Sequence, residues 1–344
     1  MAESSRVSLP VSELRNLPAG DKIVTGFYLL SRLEVRTKKD GAPFLVLELQ
    51  DATGRIEAQY WDNFREFRES AQIGQVVKVQ GTIGHWQGVA RFQVQKARVV
   101  TPEDEAPEPR AFLPHSERSS EEMRSDLREM IASLSEGPLQ ELLRTIFDDE
   151  EIWKAFAEAP GGKLWHHAYV GGLAEHTLSL AHLCDLLAQY YKRLNRDLLL
   201  AGALLHDVGK IAELEIEAGI DYSIEGRLLG HITLGALLVE ERIKQIEGFP
   251  EETRRQLLHL ILSHQGEGAM GSPVKPMMLE ALALHYADDL DSKFNALERI
   301  RERTPEGQPF SDYIKLMERF FYFGADETEN DLPRSPEDEE SAQP

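Results

Sequence analysis

Leu204-Leu205-His206-Asp207-Val208-Gly209-Lys210 decides the reading of this chain. It closes an apolar helical run that opens near Asp197, and it ends on a histidine-aspartate pair. Neighbours on a helix point about 100° apart, so such a pair rarely supplies two core residues. Both can reach an ion placed at the helix end. A buried, unpartnered carboxylate is costly, so a cation or a base accounts for Asp207 better than chance burial. Its two oxygens can bridge two ions. Gly209 loosens the helix. Lys210 then either reaches toward an anionic substrate or caps the helix end at the surface.

More donors of the same kind lie on either side. His176 begins a helix that runs to about Lys192 and shares a face with Leu173, Leu180 and Leu187. Glu175 beside it is a candidate to orient a ligand from behind, whereas His182 falls on another side. His231 opens a helix with Ile232, Gly235 and Leu238, and His264 ends the apolar run from Leu257 to Ser263. Asp288 lies on the apolar side of the helix from Ala281 to Leu290, with Asp289 toward solvent. A lone histidine in such a helix is usually a packed core residue. Six donors, each on or beside an apolar helix, read instead as a centre for one or two divalent ions. Nitrogen and carboxylate donors suit Mn, Fe, Co or Zn, with Mg also admissible. Paired ions are a standard device for hydrolysing phosphate esters. His166 and His167 are further candidates, to contact a phosphate or protonate a leaving oxygen. The pair Gly161-Gly162 reads as a plain loop, because no strand precedes it and no GK[ST] follows.

The N-terminal hundred residues have a different periodicity. Extended segments are expected at 22–35, 43–49, 55–61, 75–81 and 88–96, with a short helix at 63–71 between the third and fourth. Five strands with that helix position suggest a small Greek-key barrel, the OB-fold. Barrels of this kind hold single strands by stacking bases on aromatics and pairing phosphates with cations. Phe44, Tyr60, Trp61 and Trp86 are the candidate platforms. Arg32, Arg36, Lys38, Lys39, Arg55, Lys78 and Arg91 are the candidate phosphate contacts. The barrel core competes for the same aromatics, and surface cations are ordinarily just solvated. Trp86, with His85 in the expected turn, is the least easily explained as core.

The fold class is therefore multidomain α+β: a five-stranded barrel at 10–100, then an all-α bundle at 163–320. An acidic, proline-rich linker at 101–118 and a helical connector at 119–162 lie between them, and an acidic, disordered tail at 326–344 follows. The net charge of -21 looks hostile to nucleic acid. Yet residues 1–100 carry 14 basic and 11 acidic side chains, the one net-positive region, and a local patch outweighs a total. The single cysteine, Cys184, sits in an apolar run and reads as buried and inert. It permits no internal disulfide, which fits the reducing cytoplasm. No apolar segment follows a positive stretch at the start, and no apolar run approaches a membrane span.

Gly171-Gly-Leu-Ala-Glu-His176, Leu204 to Lys210 and Tyr286-Ala-Asp288-Asp-Leu-Asp291 resemble the signature segments of the HD phosphohydrolase superfamily, named for its His-Asp pair. The resemblance implies a helical bundle with His176, His206, Asp207 and Asp288 as the basic metal set. His231 and His264 match the extra histidines of members with two metals. The order of barrel and bundle, over about residues 8–320, further resembles the bacterial YhaM-type exoribonucleases. That family implies Mn-dependent removal of nucleotides from the 3′ end of single-stranded RNA, with some action on DNA. The acidic tail departs from the pattern without touching these motifs.

The expected chemistry is metal-assisted phosphodiester hydrolysis, with Asp207 bridging and Lys210 stabilising charge. Two rivals stand beside it. One is a nucleotide or cyclic-dinucleotide phosphohydrolase with a regulatory barrel. The other is a non-catalytic protein that binds single-stranded nucleic acid. No membrane partner is expected, and the broad apolar helices leave room for a homo-oligomer.

Overall fold

The computed structural model describes residues 8–324, apart from residues 21, 87, 164, 217, 218, 269, 270 and 306. The expected acidic tail lies outside the described residues. A short helix, α1 (Val11–Asn16), precedes the barrel and buries Val11 and Leu14 in its core. Six residues are too few to show a helical period in the sequence. The barrel strands are β1 (Val24–Thr37), β2 (Pro43–Asp51), β3 (Gly54–Tyr60), β4 (Val76–Trp86) and β5 (Val89–Val99), with α2 (Arg65–Ser70) between β3 and β4. They close in the order β1-β2-β3-β5-β4, with β3 and β5 parallel and the other neighbours antiparallel. Closure leaves no free sheet edge. Alternate residues such as Leu45, Leu47 and Leu49 fill the interior.

The acidic linker is more ordered than its composition implies. Thr101 and Asp104 form a capping box around a short 3-10 turn. Asp104 then grips Arg98 of β5, and its carboxyl group lies well below the usual range, first through that hydrogen bond. A second 3-10 turn brings Phe112 and Leu113 against Leu29 and Val76 of the barrel and Val170 beyond the linker. Burial of that apolar seam fixes where the barrel meets the bundle.

The bundle begins with α3 (Ser120–Ala132), α4 (Pro138–Phe147) and α5 (Glu150–Glu158). Local chemistry sets their starts: a Ser119–Glu122 capping box, Pro138 in the first turn, and Asp149 accepting from the amides of Glu151 and Ile152. Then come α6 (Gly172–Tyr190), α7 (Arg196–Leu205) and α8 (Lys210–Glu213). The two-stranded ribbon β6 (Leu214–Ile216) and β7 (Ile220–Tyr222) follows, then α9 (Ile224–Ile243), α10 (Glu251–Ser263) and α11 (Leu279–Arg303). From Leu198 to Leu205 every residue of α7 is buried. A helix apolar all round belongs at the centre of a bundle. The histidine-aspartate pair at its end is thereby delivered to the interior. Cys184 is fully buried, and burial pushes its thiol up. Among the described residues no helix is long and apolar enough to cross a membrane.

Residues Met1–Asp291 form one compact unit and Ser292–Pro344 a second. In the described part of the second, isolated bridges pair Phe310 with Tyr322 and Ile314 with Arg319.

Candidate metal centre

Four helix ends build the centre. His176 sits in the second turn of α6. His206 and His264 cap the C-termini of α7 and α10, where exposed carbonyls favour positive charge. His231 follows Gly230, whose φ of 72° breaks α9 and starts the helix afresh. Asp207 follows His206, and Asp288 comes from α11. All six predicted donors meet in one place, and all but His231 are buried to below one-tenth exposure.

The histidines share one orientation. Nδ1 of His176 lies 2.7 Å from Asp291 Oδ2, and Nδ1 of His231 lies 2.9 Å from Glu213 Oε1. Nδ1 of His206 lies 2.8 Å from the Ala203 carbonyl, and that of His264 lies 2.8 Å from the Ile261 carbonyl. Each acceptor favours a proton on Nδ1 and turns Nε2 inward. The four Nε2 atoms surround Asp207. His206 and His176 face Oδ2 at 3.2 and 3.8 Å, whereas His231 and His264 face Oδ1 at 3.4 and 3.5 Å. Asp288 Oδ1 joins the first group, 3.2 Å from His176 Nε2.

These residues fit a divalent cation. Asp207 Oδ1 and His231 Nε2 are buried polar atoms with no hydrogen-bond partner, the kind of cost a protein rarely leaves unmet. The Nε2 atoms of His176 and His206 lie 3.3 Å apart. The site also draws protons: burial pushes the His176 imidazole down, but Asp288 and Asp291 carry it up to about 9. A cation relieves the same excess of buried negative charge. Asp207 and Asp288 are both held low, burial being outweighed by neighbouring histidines and, for Asp207, by Lys210.

Three expected roles need revision. Lys210 is neither a surface cap nor free to reach out. It is 6% exposed, its Nζ lies 2.6 Å from Asp207 Oδ2, and it donates to the Gly161 carbonyl. Its charge is spent on the Asp207 carboxylate. His167 stands behind the centre, with Nε2 3.2 Å from Asp291 Oδ2 and Nδ1 2.9 Å from the Tyr169 hydroxyl. Asp291 rather than Glu175 orients His176, because Asp291 lies one turn beyond Asp288 on the same face of α11. That spacing was the available signal for it. His166 differs from His167: its Nδ1 is buried without a partner, and burial followed by Lys210 pushes its pKa down to about 3. His182 pairs with Asp126, away from the centre.

On the barrel, Phe44 and Trp61 stack at 4.4 Å, with Lys38 5.1 Å above the Trp61 ring. Trp61 Nε1 donates to Gln93 Oε1 at 2.8 Å, which fixes the indole. Trp86 is 62% exposed at the tip of the β4–β5 hairpin. Tyr60 is a correction: at 5% exposure it packs in the core against Phe64 and Phe67 and offers no platform. The cations are also constrained. Arg32 and Arg91 share Glu57, Arg36 pairs with Glu34, Arg55 with Glu48 and Lys78 with Asp104. The pairs of Arg32, Arg36, Arg55 and Arg91 are partly to well exposed and so add little to stability, whereas Asp104 is buried between Lys78 and Arg98. Lys38 and Lys39 lie just before Phe44 in the chain, and Lys38 reaches the Trp61 ring.

Comparison with known proteins agrees with this architecture. Residues 173–293 match the HD domain family, and residues 33–100 match the OB-fold nucleic acid binding domain family. The chain is 35% identical over 298 residues to the 3′-5′ exoribonuclease YhaM of Bacillus subtilis (strain 168), covering 86% of this chain and 93% of that one. It is 36% identical over 299 residues to YhaM of Geobacillus sp. (strain WCH70), covering 86% and 90%. Against YhaM of Bacillus pumilus (strain SAFR-032) it is 34% identical over 283 residues, covering 82% and 89%. With an OB-fold barrel, an HD bundle and relatives aligned over nearly their whole length, the chain belongs to the YhaM family of 3′-5′ exoribonucleases.

Proposed function

We propose that this protein is a metal-dependent exoribonuclease that shortens single-stranded RNA from its 3′ end and releases nucleoside monophosphates, with single-stranded DNA as a secondary substrate. Family membership supports the reading. The observation that carries it is the Asp207 carboxylate, which turns one oxygen to His176 and His206 and the other to His231 and His264.

That arrangement supports two ions, with manganese the first choice. His176, His206, Asp288 and Asp207 Oδ2 would hold one. His231, His264 and Asp207 Oδ1 would hold the other. When bound, such ions polarise the phosphate and lower the pKa of attacking water. The remaining work falls to this chain's own groups. Asp207 sets the spacing of the two donor sets, and Lys210 keeps that carboxylate ionised and in place. Asp291 and Glu213 keep the tautomers of His176 and His231. His166 offers the unpartnered Nδ1 as a hydrogen-bonding contact for a phosphate oxygen. On residues 10–100 the Phe44–Trp61 stack takes bases, while Lys38 and Lys39 take phosphates. Holding the strand there raises its effective concentration at the centre and favours repeated cuts. The protein works in the cytoplasm, where its one thiol stays reduced.

Product analysis tests the reading. Single-stranded RNA incubated with protein and Mn should yield nucleoside monophosphates. Intact RNA beside rapid hydrolysis of free nucleotides or cyclic dinucleotides would replace it with a small-nucleotide phosphohydrolase.

A further inference from the structure

The bundle carries an aromatic and cationic cluster outside the metal centre and outside the barrel. Tyr222 ends β7 and is 39% exposed. Lys163 Nζ lies 5.3 Å from its ring centroid and Arg227 Cζ 5.6 Å. One carboxylate oxygen, Asp221 Oδ1, accepts from Lys163 at 2.7 Å and from Arg227 at 2.8 Å. Neither cation has an acid of its own among these contacts.

Two short paths tie this cluster to Asp207. Lys163 lies two residues beyond Gly161, whose carbonyl accepts from Lys210, and Lys210 pairs with Asp207. Arg227 lies beside Gly226, where a Cβ would come within 2.2 Å of the Glu213 carbonyl oxygen. Glu213 in turn holds His231, which faces Asp207 Oδ1. The cluster is thus joined through the backbone to the segments that hold Lys210 and His231. Next to it, Ile224 and Leu228 stand exposed one turn apart on α9 and widen the apolar surface.

We propose that Tyr222, Lys163 and Arg227 form a nucleotide subsite of the bundle, which holds a base and its phosphate from the single-stranded RNA next to the nucleotide being cut. The chemistry matches that ligand. An exposed aromatic ring accepts any base by stacking, and flexible cations follow the backbone. Each cation now resting on the ring can move to a phosphate and free the ring face for a base. Lys38 over Trp61 is the same combination on the barrel. The inference rests on the exoribonuclease reading of the centre.

The test uses the full-length protein with Mn and a short single-stranded RNA. Tyr222→Ala should raise KM by about tenfold, the scale of one lost base stack, with turnover at saturation falling far less. Tyr222→Phe should recover most of the lost affinity. Lys163→Gln with Arg227→Gln keeps the ring and should flatten the salt dependence of binding by about 0.7 in log-log slope for each lost phosphate contact. A KM in Tyr222→Ala equal to that of an active wild type, with an unchanged salt slope in the double variant, would overturn the subsite alone. A wild type that neither binds nor shortens RNA would overturn the exoribonuclease reading, and the subsite with it.

Discussion

Asp291 Oδ2 lies 2.7 Å from Nδ1 of His176, a residue 115 positions earlier in the chain. The bond fixes which nitrogen of His176 faces Asp207 and Asp288. Outer partners of this kind typically govern metal affinity by about 10- to 100-fold. Asp291→Ala should weaken Mn binding by that order in a calorimetric titration. Asp291→Asn retains an acceptor oxygen and should lose less. Equal affinity in all three proteins would remove Asp291 from the account.

Lys210 offers a second test, because it neutralises a carboxylate from inside the fold. Breaking a buried pair by deleting one partner costs about 3–5 kcal/mol. Lys210→Met in chelator should lose stability of that order in urea unfolding. Added Mn should restore part of it, since a cation gives Asp207 a new partner. A variant as stable as wild type in chelator would mean that Asp207 needs no such neutralisation.

The barrel predictions separate two adjacent aromatics. Trp61→Ala should weaken single-stranded RNA binding by about 1–3 kcal/mol, with the fold kept. Tyr60→Ala should instead destabilise the protein by about 3 kcal/mol or more, as a large core truncation does. Circular dichroism melts beside fluorescence anisotropy with labelled RNA would distinguish them. The reverse pattern would exchange the two roles.

Acid stability probes the bundle away from the centre. Arg242 bonds the Asp149 carboxylate, which also caps α5, and both hold its pKa below the usual carboxylate range. A depressed folded pKa adds stability that is complete above the unfolded value of about 3.9 and is lost as pH falls through the folded value. Asp149→Asn should therefore show a shallower loss of stability with falling pH in that window. An acid limb parallel to wild type would contradict the assignment.

Much of the barrel and of the donor cluster is legible in the sequence. The six donors that meet at the centre can be read because each lies on or beside an apolar helical run, as His206 and Asp207 do at the end of α7. The barrel can be read from short extended segments between turns, and from alternation along Arg55 to Trp61, where Ile56, Ala58 and Tyr60 face inward. What stayed hidden depended on three-dimensional pairing. Tyr60 and Trp61 are neighbours in sequence, and only closure of the barrel puts one in the core and the other against Phe44. Lys210 reads as a helix-end cation until Gly161 and Asp207 close over it. Asp291 and Glu213 look like ordinary acids, because the histidines they orient come from other elements. Tyr222, Lys163 and Arg227 meet only through the β6–β7 ribbon, whose three-residue strands are too short to show a period.

Hydrolysis from the 3′ end at a centre built around Asp207 can be checked with 5′-labelled single-stranded RNA incubated with Mn, with chelator, and with the Asp207→Ala variant. A ladder should shorten from the 3′ end with Mn and vanish in the other two reactions. Intact RNA with wild type and Mn, or an undiminished ladder from Asp207→Ala, would contradict it.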